Sequence, residues 1–449
     1  MWPCLALNRK LSPVKGLEAR KAAWEVIQAV GGGAFADLAL ERIFKIYSFE
    51  PLDKALITEL SYGVIRQRYF LDCWIDHLGK VSAIKQPPLL RWLLHLGLYQ
   101  IFKMERIPPA AAINTTVELA KTNHLRKLAP VVNGILRSAL RSKEKGFKLP
   151  KSKNPSEELA QEQSIPVWLA DELIAWKGKE DADVIAKAFN TISPIDIRVN
   201  KLRANIEEVK ESFDSCGIYN RFIPNCPYGL EVPVGVGEPM KWPGFAEGKW
   251  SVQDRSSQLI APSLGALPGE KILDACAAPG GKSTHIAELV NNQAEIWSVD
   301  RSSRRVEKIL SNAKRLGISC LEILIADSNE LLAENPKLES YFDRILIDAP
   351  CSGLGTLARH PDSRWRMTKD NIQELVCIQS QLLKSIDPLL KSGGKLVYST
   401  CTIHPYENHN QIRNFLKIKS KFSLEYERQI WPGEENKGDG FYIAILNKL

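Results

Sequence analysis

The chain has 449 residues, of which 44% are hydrophobic and 25% are charged, and its formal net charge is +8. This composition is typical of a soluble globular protein, and the length allows two or three domains with a sizeable core. No uninterrupted apolar run is long enough to span a bilayer, and the first residues lack the regions of a signal peptide. We therefore expect a cytoplasmic protein with no membrane partner.

Nine cysteines are scattered along the sequence, an odd number that makes neither a disulfide framework nor a CxxC zinc pair. A reducing compartment would keep them as thiols. His285, His404 and His409 have no ligand partners at useful spacing, so we expect no metal. The positive charge permits a polyanionic partner, but it fits an ordinary solvated basic surface equally well.

The first third of the chain has helical periodicity and predicts an all-α domain over residues 1–145, without a catalytic constellation of its own. One apolar face recurs at i, i+3, i+4 and i+7 and is followed by three glycines that end the helix. Its members are Ala19, Ala22, Ala23, Val26, Ile27 and Val30. Residues 146–164 are basic, contain proline and lack periodicity, which indicates a linker. It is either a solvated connector or a segment whose lysines contact phosphates.

Residues 165–245 mix one helix with short strands and predict a small α+β subdomain. Its Arg198 and Asn200 either face an RNA groove or merely finish a strand. A second basic segment, 359–366, has arginines that could pair with phosphates and a tryptophan, Trp365, that could stack on a base. The alternative is a structural loop that packs Trp365 into the domain.

From residue 246 to 449, strands alternate with helices, which predicts an α/β domain with a mostly parallel, doubly wound sheet. The segment 440–446 is expected to add an edge strand. The predicted strands are 271–274, 295–300, 321–325, the one that ends at Asp348 and the one before Cys401.

A turn rich in small residues follows the first of these strands and is the predicted cofactor site. Glycines let the backbone approach a ligand, and the next helix points its N-terminal N–H groups toward it. A phosphate-binding P-loop is disfavoured, because that motif needs glycine at position 276 and a backbone donor at 279. The residues of the turn are Cys276, Ala277, Ala278, Pro279, Gly280, Gly281 and Lys282.

Aspartates stand at the ends of the four successive strands, and three of them, Asp300, Asp327 and Asp348, are predicted to bind the cofactor. Aspartate is disfavoured in strands and costly to bury unpaired, although each one alone could be a turn or cap residue. As a set they indicate a ligand with a ribose, an adenine amine and a charged amino-acid part. S-adenosylmethionine fits that description.

Two cysteines, Cys351 and Cys401, follow apolar runs that predict buried strands. Ligands and chemistry collect at the ends of parallel strands, so two thiols there suggest covalent catalysis. The alternative is that either is a small core residue.

With these motifs in place, the C-terminal half resembles the Nop2/Sun family of RNA cytosine-5 methyltransferases. The first third resembles a NusB-type RNA-binding domain through residues 132–137, and the pairing is similar to bacterial 16S ribosomal RNA methyltransferases of RsmB (Sun) type. The resemblance implies a Rossmann-like class I methyltransferase domain, preceded by a small RNA-binding module at residues 165–245. The matching runs are 274–282, 348–353, 359–362 and 399–402.

The resemblance implies that Cys401 is the nucleophile and that Cys351 assists product release, while residues 276–282 with the three aspartates hold S-adenosylmethionine. Asp348 is expected to hydrogen-bond the base at N3 as well. The expected activity is methylation of C5 of a cytosine in 16S ribosomal RNA, through a covalent cysteine–C6 adduct. The target base must be unstacked.

Two alternatives stay open at this point. The same chemistry could act on transfer RNA or another ribosomal site, because the motifs do not encode position. A different class would be a NusB-like RNA-binding or antitermination factor with an inactive methyltransferase half. We expect a monomer that acts on free RNA or an early assembly intermediate.

Overall fold

The computed structural model describes residues 16–434 and 438–449, which form two compact units. Unit 1 runs up to Asn190 and also includes His360–Arg366. Unit 2 comprises Thr191–Arg359 and Met367–Leu449. The first residues, which we predict to lack a signal peptide, lie outside the described part of the chain.

Unit 1 is helical, as its periodicity predicts, and apolar side chains such as Val26, Leu60, Leu93 and Leu136 are fully buried in its core. Burial of such amphipathic faces supplies most of the stability of helices of this length. The helices are α1 (Leu17–Gly31), α2 (Ala36–Ile46), α3 (Pro51–Arg66), α4 (Arg68–Leu78), α5 (Pro88–Lys103), α6 (Pro109–Thr122), α7 (Ala129–Glu144), α8 (Pro155–Gln163), α9 (Val167–Ala188) and α16 (Ser363–Arg366).

The predicted linker at 146–164 needs a correction, because it contains helix α8. Asn154 caps this helix by accepting a hydrogen bond from Ser156 N at 2.9 Å, and proline occupies its first turn. Helix α9 also lies in unit 1, and not in the small subdomain predicted to begin at residue 165. Helix α8 begins at a local cap and is only nine residues long, which is why periodicity did not predict it.

Unit 2 begins with a small antiparallel sheet in the order β2-β3-β1-β4. Its core holds Phe213, Trp242 and Trp250, whose rings meet at 5.6–5.9 Å between centroids. The elements are β1 (Ile195–Val199), α10 (Ile206–Ser215), β2 (Arg221–Phe222), β3 (Gly229–Val232) and β4 (Trp250–Val252).

The main sheet of unit 2 has the strand order β10-β11-β9-β8-β5-β6-β7. Strands β5 to β9 pair in parallel, whereas β10 and β11 run antiparallel. The elements are α11 (Arg255–Gln258), α12 (Ile260–Leu264), β5 (Lys271–Asp274), α13 (Gly281–Leu289), β6 (Glu295–Asp300), α14 (Ser303–Leu316), β7 (Leu321–Ile325), α15 (Leu331–Glu334), β8 (Phe342–Asp348), α17 (Lys369–Ile386), β9 (Leu390–Thr400), α18 (His409–Ile418), β10 (Phe422–Ile430) and β11 (Phe441–Lys448).

Apolar clusters cover both faces of this sheet. Ile345 and Leu396 pack into the cluster on one face, and their neighbours Leu346 and Val397 pack into the cluster on the other. This arrangement confirms the predicted Rossmann-like, doubly wound α/β architecture. Within the described ranges, no helix is both long and apolar enough to cross a membrane.

The C-terminal segment is not the edge strand that the sequence predicts. Strand β11 lies between β9 and β10, and Leu446, Ala444 and Tyr442 are buried. The edge is β10, which the sequence did not predict because most of its residues are polar or exposed. An edge strand of that composition suits a solvated position.

Two residues that could have faced RNA, Arg198 and Asn200, are buried instead. Arg198 forms an ion pair with Glu288 at 2.8 Å and donates to Gly281 O at 2.9 Å. Asn200 donates to Gly248 O and Leu316 O at 3.0 and 2.8 Å. Both finish a strand and hold unit 2 together, so neither reaches an RNA groove.

The basic segment 359–366, which follows Cys351, is also structural. Arg364 is buried and donates to Ser164 O at 3.1 Å and Phe189 O at 2.9 Å, and burial lowers its pKa to about 9. Trp365 donates its indole N–H to Ile65 O at 2.6 Å. The alternative of a loop that packs Trp365 into a domain is therefore the correct one, and that domain is unit 1.

Candidate active site

The parallel strands of unit 2 bring the predicted site residues to one edge of the sheet. Strands β5, β6 and β8 end at Asp274, Asp300 and Asp348, and β9 ends at Thr400. Because these strands are parallel, their carboxyl ends share the edge where α/β proteins bind ligands.

The predicted cofactor turn lies between β5 and α13. Ala277 N donates to Val299 O at 2.9 Å, and Arg305 donates to Ala278 O at 2.6 Å, so neighbouring segments hold the turn. Gly280 has φ +98°, and a Cβ there would lie 3.2 Å from Ile309 Cα. Only glycine suits that position.

Asp274 supports this turn from inside the protein. It is fully buried and accepts a hydrogen bond from Ser283 Oγ at 2.6 Å. Burial raises its pKa to about 7, against the lowering effect of that hydrogen bond, and the charge of Asp348 adds to the rise. Its carboxyl group therefore braces the start of α13 against the end of β5.

The other two predicted cofactor aspartates differ in exposure. Asp300 is 5% exposed and accepts from Ala278 N at 3.3 Å and Ser302 N at 3.0 Å. Asp327 follows β7, is exposed, and accepts from the backbone and side-chain nitrogens of Asn329, both at 2.9 Å. Asp300 is the last residue of β6 and Asp327 lies just beyond β7, so both carboxylates stand at the carboxyl ends of neighbouring strands.

The two predicted cysteines meet. Cys351 follows β8, Cys401 follows β9, and their sulfur atoms are 3.4 Å apart in a half-buried position. The hydrogen bond with Cys401, together with burial and the charges of Cys401 and Glu407, raises the pKa of Cys351 well above its usual value. Either sulfur can be the donor in this contact.

Lys282, at the end of the cofactor turn, forms an ion pair with Asp348 at the end of β8. Its Nζ lies 2.5 Å from Asp348 Oδ2, and Ser399 Oγ donates to the other oxygen of Asp348 at 3.0 Å. Burial lowers the pKa of Lys282, but the charges of Asp348, Cys401 and Asp274 outweigh it and the pKa is raised. An ammonium group thus contacts the carboxylate of Asp348 and interacts electrostatically with Cys401.

Sequence reasoning missed a buried polar group behind the thiols. Glu407 accepts from Ser352 N at 2.8 Å, from Ser352 Oγ at 2.5 Å and from Gln379 Nε2 at 3.0 Å. Ser352 Oγ also contacts Thr402 Oγ1 at 2.7 Å. A lone glutamate in a loop has no periodic or spacing signal, so only the structure reveals this role.

Across the described residues, no group of three or more histidine, cysteine, aspartate or glutamate side chains is arranged to hold a metal ion. The chemistry available at this edge consists of two thiols, a lysine–aspartate pair and a glycine-containing turn.

Comparison with known proteins agrees with this geometry. The family described as 16S rRNA methyltransferase RsmB/F matches residues 261–447, and the NusB family matches residues 17–141. The chain is 39% identical over 448 residues to the "Probable ribosomal RNA small subunit methyltransferase B" of Synechocystis sp., a match that covers 96% of this chain and 100% of the relative. The chain belongs to the ribosomal RNA small subunit methyltransferase B family.

Two further comparisons support this membership. The "Ribosomal RNA small subunit methyltransferase B" of Escherichia coli is 36% identical over 403 residues, which are 88% of this chain and 91% of the relative. The solved structure of PH0851 has a TM-score of 0.81 and 28% identity, covering 98% of this chain and 100% of that one. Membership of this methyltransferase family confirms the predicted pairing of a NusB-like domain with a methyltransferase domain.

Proposed function

We propose that the protein transfers a methyl group from S-adenosylmethionine to C5 of a cytosine in 16S ribosomal RNA, through a covalent bond between Cys401 and C6 of the base. The observation that carries the proposal is the 3.4 Å contact between two thiols beside the Lys282–Asp348 pair, in a chain of this family. A structural pair of core cysteines would need neither the ammonium group nor the carboxylate.

The residues of the cofactor turn fit S-adenosylmethionine. Gly281 keeps the backbone free of a side chain where a ligand would approach, since a Cβ there would meet its nearest neighbour, Gln253, only at 3.8 Å. Asp300 and Asp327 offer carboxylate oxygens for ribose hydroxyls and an adenine amine. When bound, the cofactor supplies a sulfonium methyl group.

A covalent step is needed because C5 of cytosine is a poor nucleophile, so direct methyl transfer to it would be slow. Addition of a thiolate to C6 places electron density on C5, which can then accept the methyl group. The attacking sulfur must be ionised. When Cys401 is ionised, Cys351 can stabilise the thiolate by donating its S–H across the 3.4 Å that separates the two sulfurs.

Asp348 is proposed to activate the base. Paired with Lys282, its carboxylate is a hydrogen-bond acceptor, and so it favours a cytosine that carries a proton at N3. A protonated ring is the better electrophile at C6, where Cys401 attacks.

Product release reverses the covalent step. The C5 proton passes to a base, the C6–S bond breaks, and its electron pair returns to the sulfur of Cys401. Cys351 is proposed to assist by donating a hydrogen bond to the leaving thiolate, since its sulfur is already 3.4 Å away.

The RNA partner is proposed from the family and from unit 1. A base in the site must be unstacked, and the NusB-like helices with the small sheet are proposed to hold the surrounding RNA. We infer a cytoplasmic monomer that acts on free RNA or an early assembly intermediate. The alternatives are the same reaction on transfer RNA, or RNA binding without catalysis.

The test is incubation with tritiated S-adenosylmethionine and either deproteinised 16S RNA or, in a parallel reaction, transfer RNA, followed by mapping of the labelled base. We expect label at C5 of a cytosine that lacks the modification in cells without this protein. Label in transfer RNA alone would move the substrate, and bound but unlabelled RNA would favour the non-catalytic alternative.

A further inference from the structure

Glu407 is a buried carboxylate without a part in the reaction described above. It lies in the loop after Cys401, and its exposed fraction is 0%. Burying a carboxylate costs several kcal/mol unless donors compensate. Burial accordingly raises the pKa of Glu407, while hydrogen bonds from Ser352, Gln379 and Thr402 lower it.

These donors connect Glu407 to the other cysteine loop. Ser352, the residue after Cys351, gives Glu407 both its backbone N–H, at 2.8 Å, and its hydroxyl, at 2.5 Å. Ser352 and Thr402, the residue after Cys401, share a contact of 2.7 Å between hydroxyl oxygens. The carboxylate of Glu407 therefore connects Ser352 and Thr402, the residues that follow the two reactive cysteines.

Glu407 is itself anchored on the Cys401 side. Its backbone oxygen accepts from Tyr398 OH at 2.7 Å, and Tyr398 lies in β9 with no exposed surface. On the other side, Gln379 donates to Glu407 Oε1 at 3.0 Å and to Pro350 O at 2.9 Å. The carboxylate thus extends from a fixed strand to the loop that carries Cys351.

We propose that Glu407 is a positioning residue that holds the Cys351 loop against Cys401 and so sets the distance between the two sulfurs. The inference rests on the proposed function, because only a covalent mechanism gives that distance a consequence. Attack needs the sulfur of Cys401, whereas release also needs that of Cys351. Loss of Glu407 therefore slows release more than attack.

The test is Glu407→Ala with both cysteines intact, measured by turnover and by the fraction of RNA that stays bound after denaturation. Misplacement of a reacting group by about 1 Å can cost about 100-fold. We expect release to slow by about 10- to 100-fold, with covalent RNA accumulating and KM for RNA unchanged. A variant that only destabilises the fold would lose adduct and turnover together.

Glu407→Gln is the conservative variant. Its amide oxygen can accept from Ser352 N and Gln379, and its NH₂ group can donate to Ser352 Oγ, so the loop stays in place. We expect wild-type adduct levels; adduct accumulation in Glu407→Gln equal to that in Glu407→Ala would overturn a positioning role. Should Glu407→Ala fail to fold, Ser352→Ala decides, with an expected three- to tenfold slower release.

Glu270→Ala is the matched control. Glu270 pairs with Arg344 at 2.9 Å just before β5, at the opposite end of the parallel strands, and should leave adduct and turnover unchanged. Cys351→Ala separates the two proposals. If neither Cys351→Ala nor Cys401→Ala traps RNA, the covalent mechanism fails. If Cys351→Ala traps RNA while both Glu407→Ala and Ser352→Ala release product at the wild-type rate, only the role of Glu407 fails.

Discussion

The carboxyl ends of the parallel strands present two different kinds of surface. At the end formed by β8 and β9, the thiol end, Cys351 and Cys401 touch each other and buried hydrogen bonds surround their loops. At the end formed by β6 and β7, the aspartate end, Asp300 is buried but Asp327 is exposed. The cofactor turn after β5 stands between them.

The contrast follows from what each end is proposed to do. Bond making needs atoms fixed within a fraction of an ångström, which packing and a second layer of hydrogen bonds provide. Hydrogen bonds to the hydroxyl and amine groups of a nucleoside, in contrast, can also be accepted by an exposed carboxylate. We therefore expect substitutions at the thiol end to change rate, and those at the aspartate end to change cofactor affinity.

The largest effect is expected from exchanging the two cysteines in turn for alanine. Cys401→Ala should lower methyl transfer about a thousandfold or more, because the covalent route is lost. Cys351→Ala should instead leave RNA attached to the protein after denaturation. Gel analysis with labelled RNA measures both, and an adduct formed only by Cys401→Ala would reverse the two roles.

Asp348→Asn should reduce kcat by about 100-fold, because a pre-oriented charge is lost where charge develops on the base. Asp343→Asn is its control: Asp343 lies in the same strand, pairs with Lys391 at 2.5 Å and is at the opposite end. Single-turnover methylation separates them. Full kcat in Asp348→Asn, with unchanged cofactor affinity, would remove Asp348 from the mechanism.

At the aspartate end, Asp300→Asn should weaken S-adenosylmethionine binding about tenfold, and Asp327→Asn by a smaller factor. A hydrogen bond donated to a buried carboxylate is stronger than one donated to a carboxylate screened by water. Calorimetric titration of the cofactor measures both affinities. Equal losses would mean that burial does not distinguish the two positions.

The smallest effect concerns stability and Asp274, which lies between the two ends. Its carboxyl group ionises near pH 4 when unfolded but at about pH 7 when folded, so its stabilising contribution is present below pH 4 and is lost as the pH rises to 7. The Asp274→Asn variant has no carboxyl group at this position and so does not lose this stability as the pH rises. Its Tm relative to the wild type should rise by a few degrees between pH 5 and pH 8, and a constant difference would contradict the raised pKa.

The strands and motifs of unit 2 could be predicted because their signals are local. Apolar runs followed by aspartate or cysteine identified β5, β6, β8 and β9, and parallel pairing then brought Cys351 and Cys401 together. The position of β11 could not be predicted, because an apolar run does not specify its neighbours in a sheet.

Basic residues were the weakest part of the prediction. Arg198 and Arg364 were candidates for RNA contact, but their partners are Glu288 and backbone carbonyl groups far away in the sequence. Arginine can serve equally well as a phosphate ligand or as a buried donor of several hydrogen bonds. Only tertiary structure decides between these uses, and the same holds for Glu407.

The path of the chain has a consequence for how the two units can be separated. The polypeptide enters unit 2 at residue 191, leaves it for His360–Arg366, and returns at Met367. A helical fragment ending at Asn190 would therefore lack the guanidinium group that serves Ser164 O and Phe189 O. An exchange of the helical half between homologues must therefore include residues 360–366 as well as those up to Asn190.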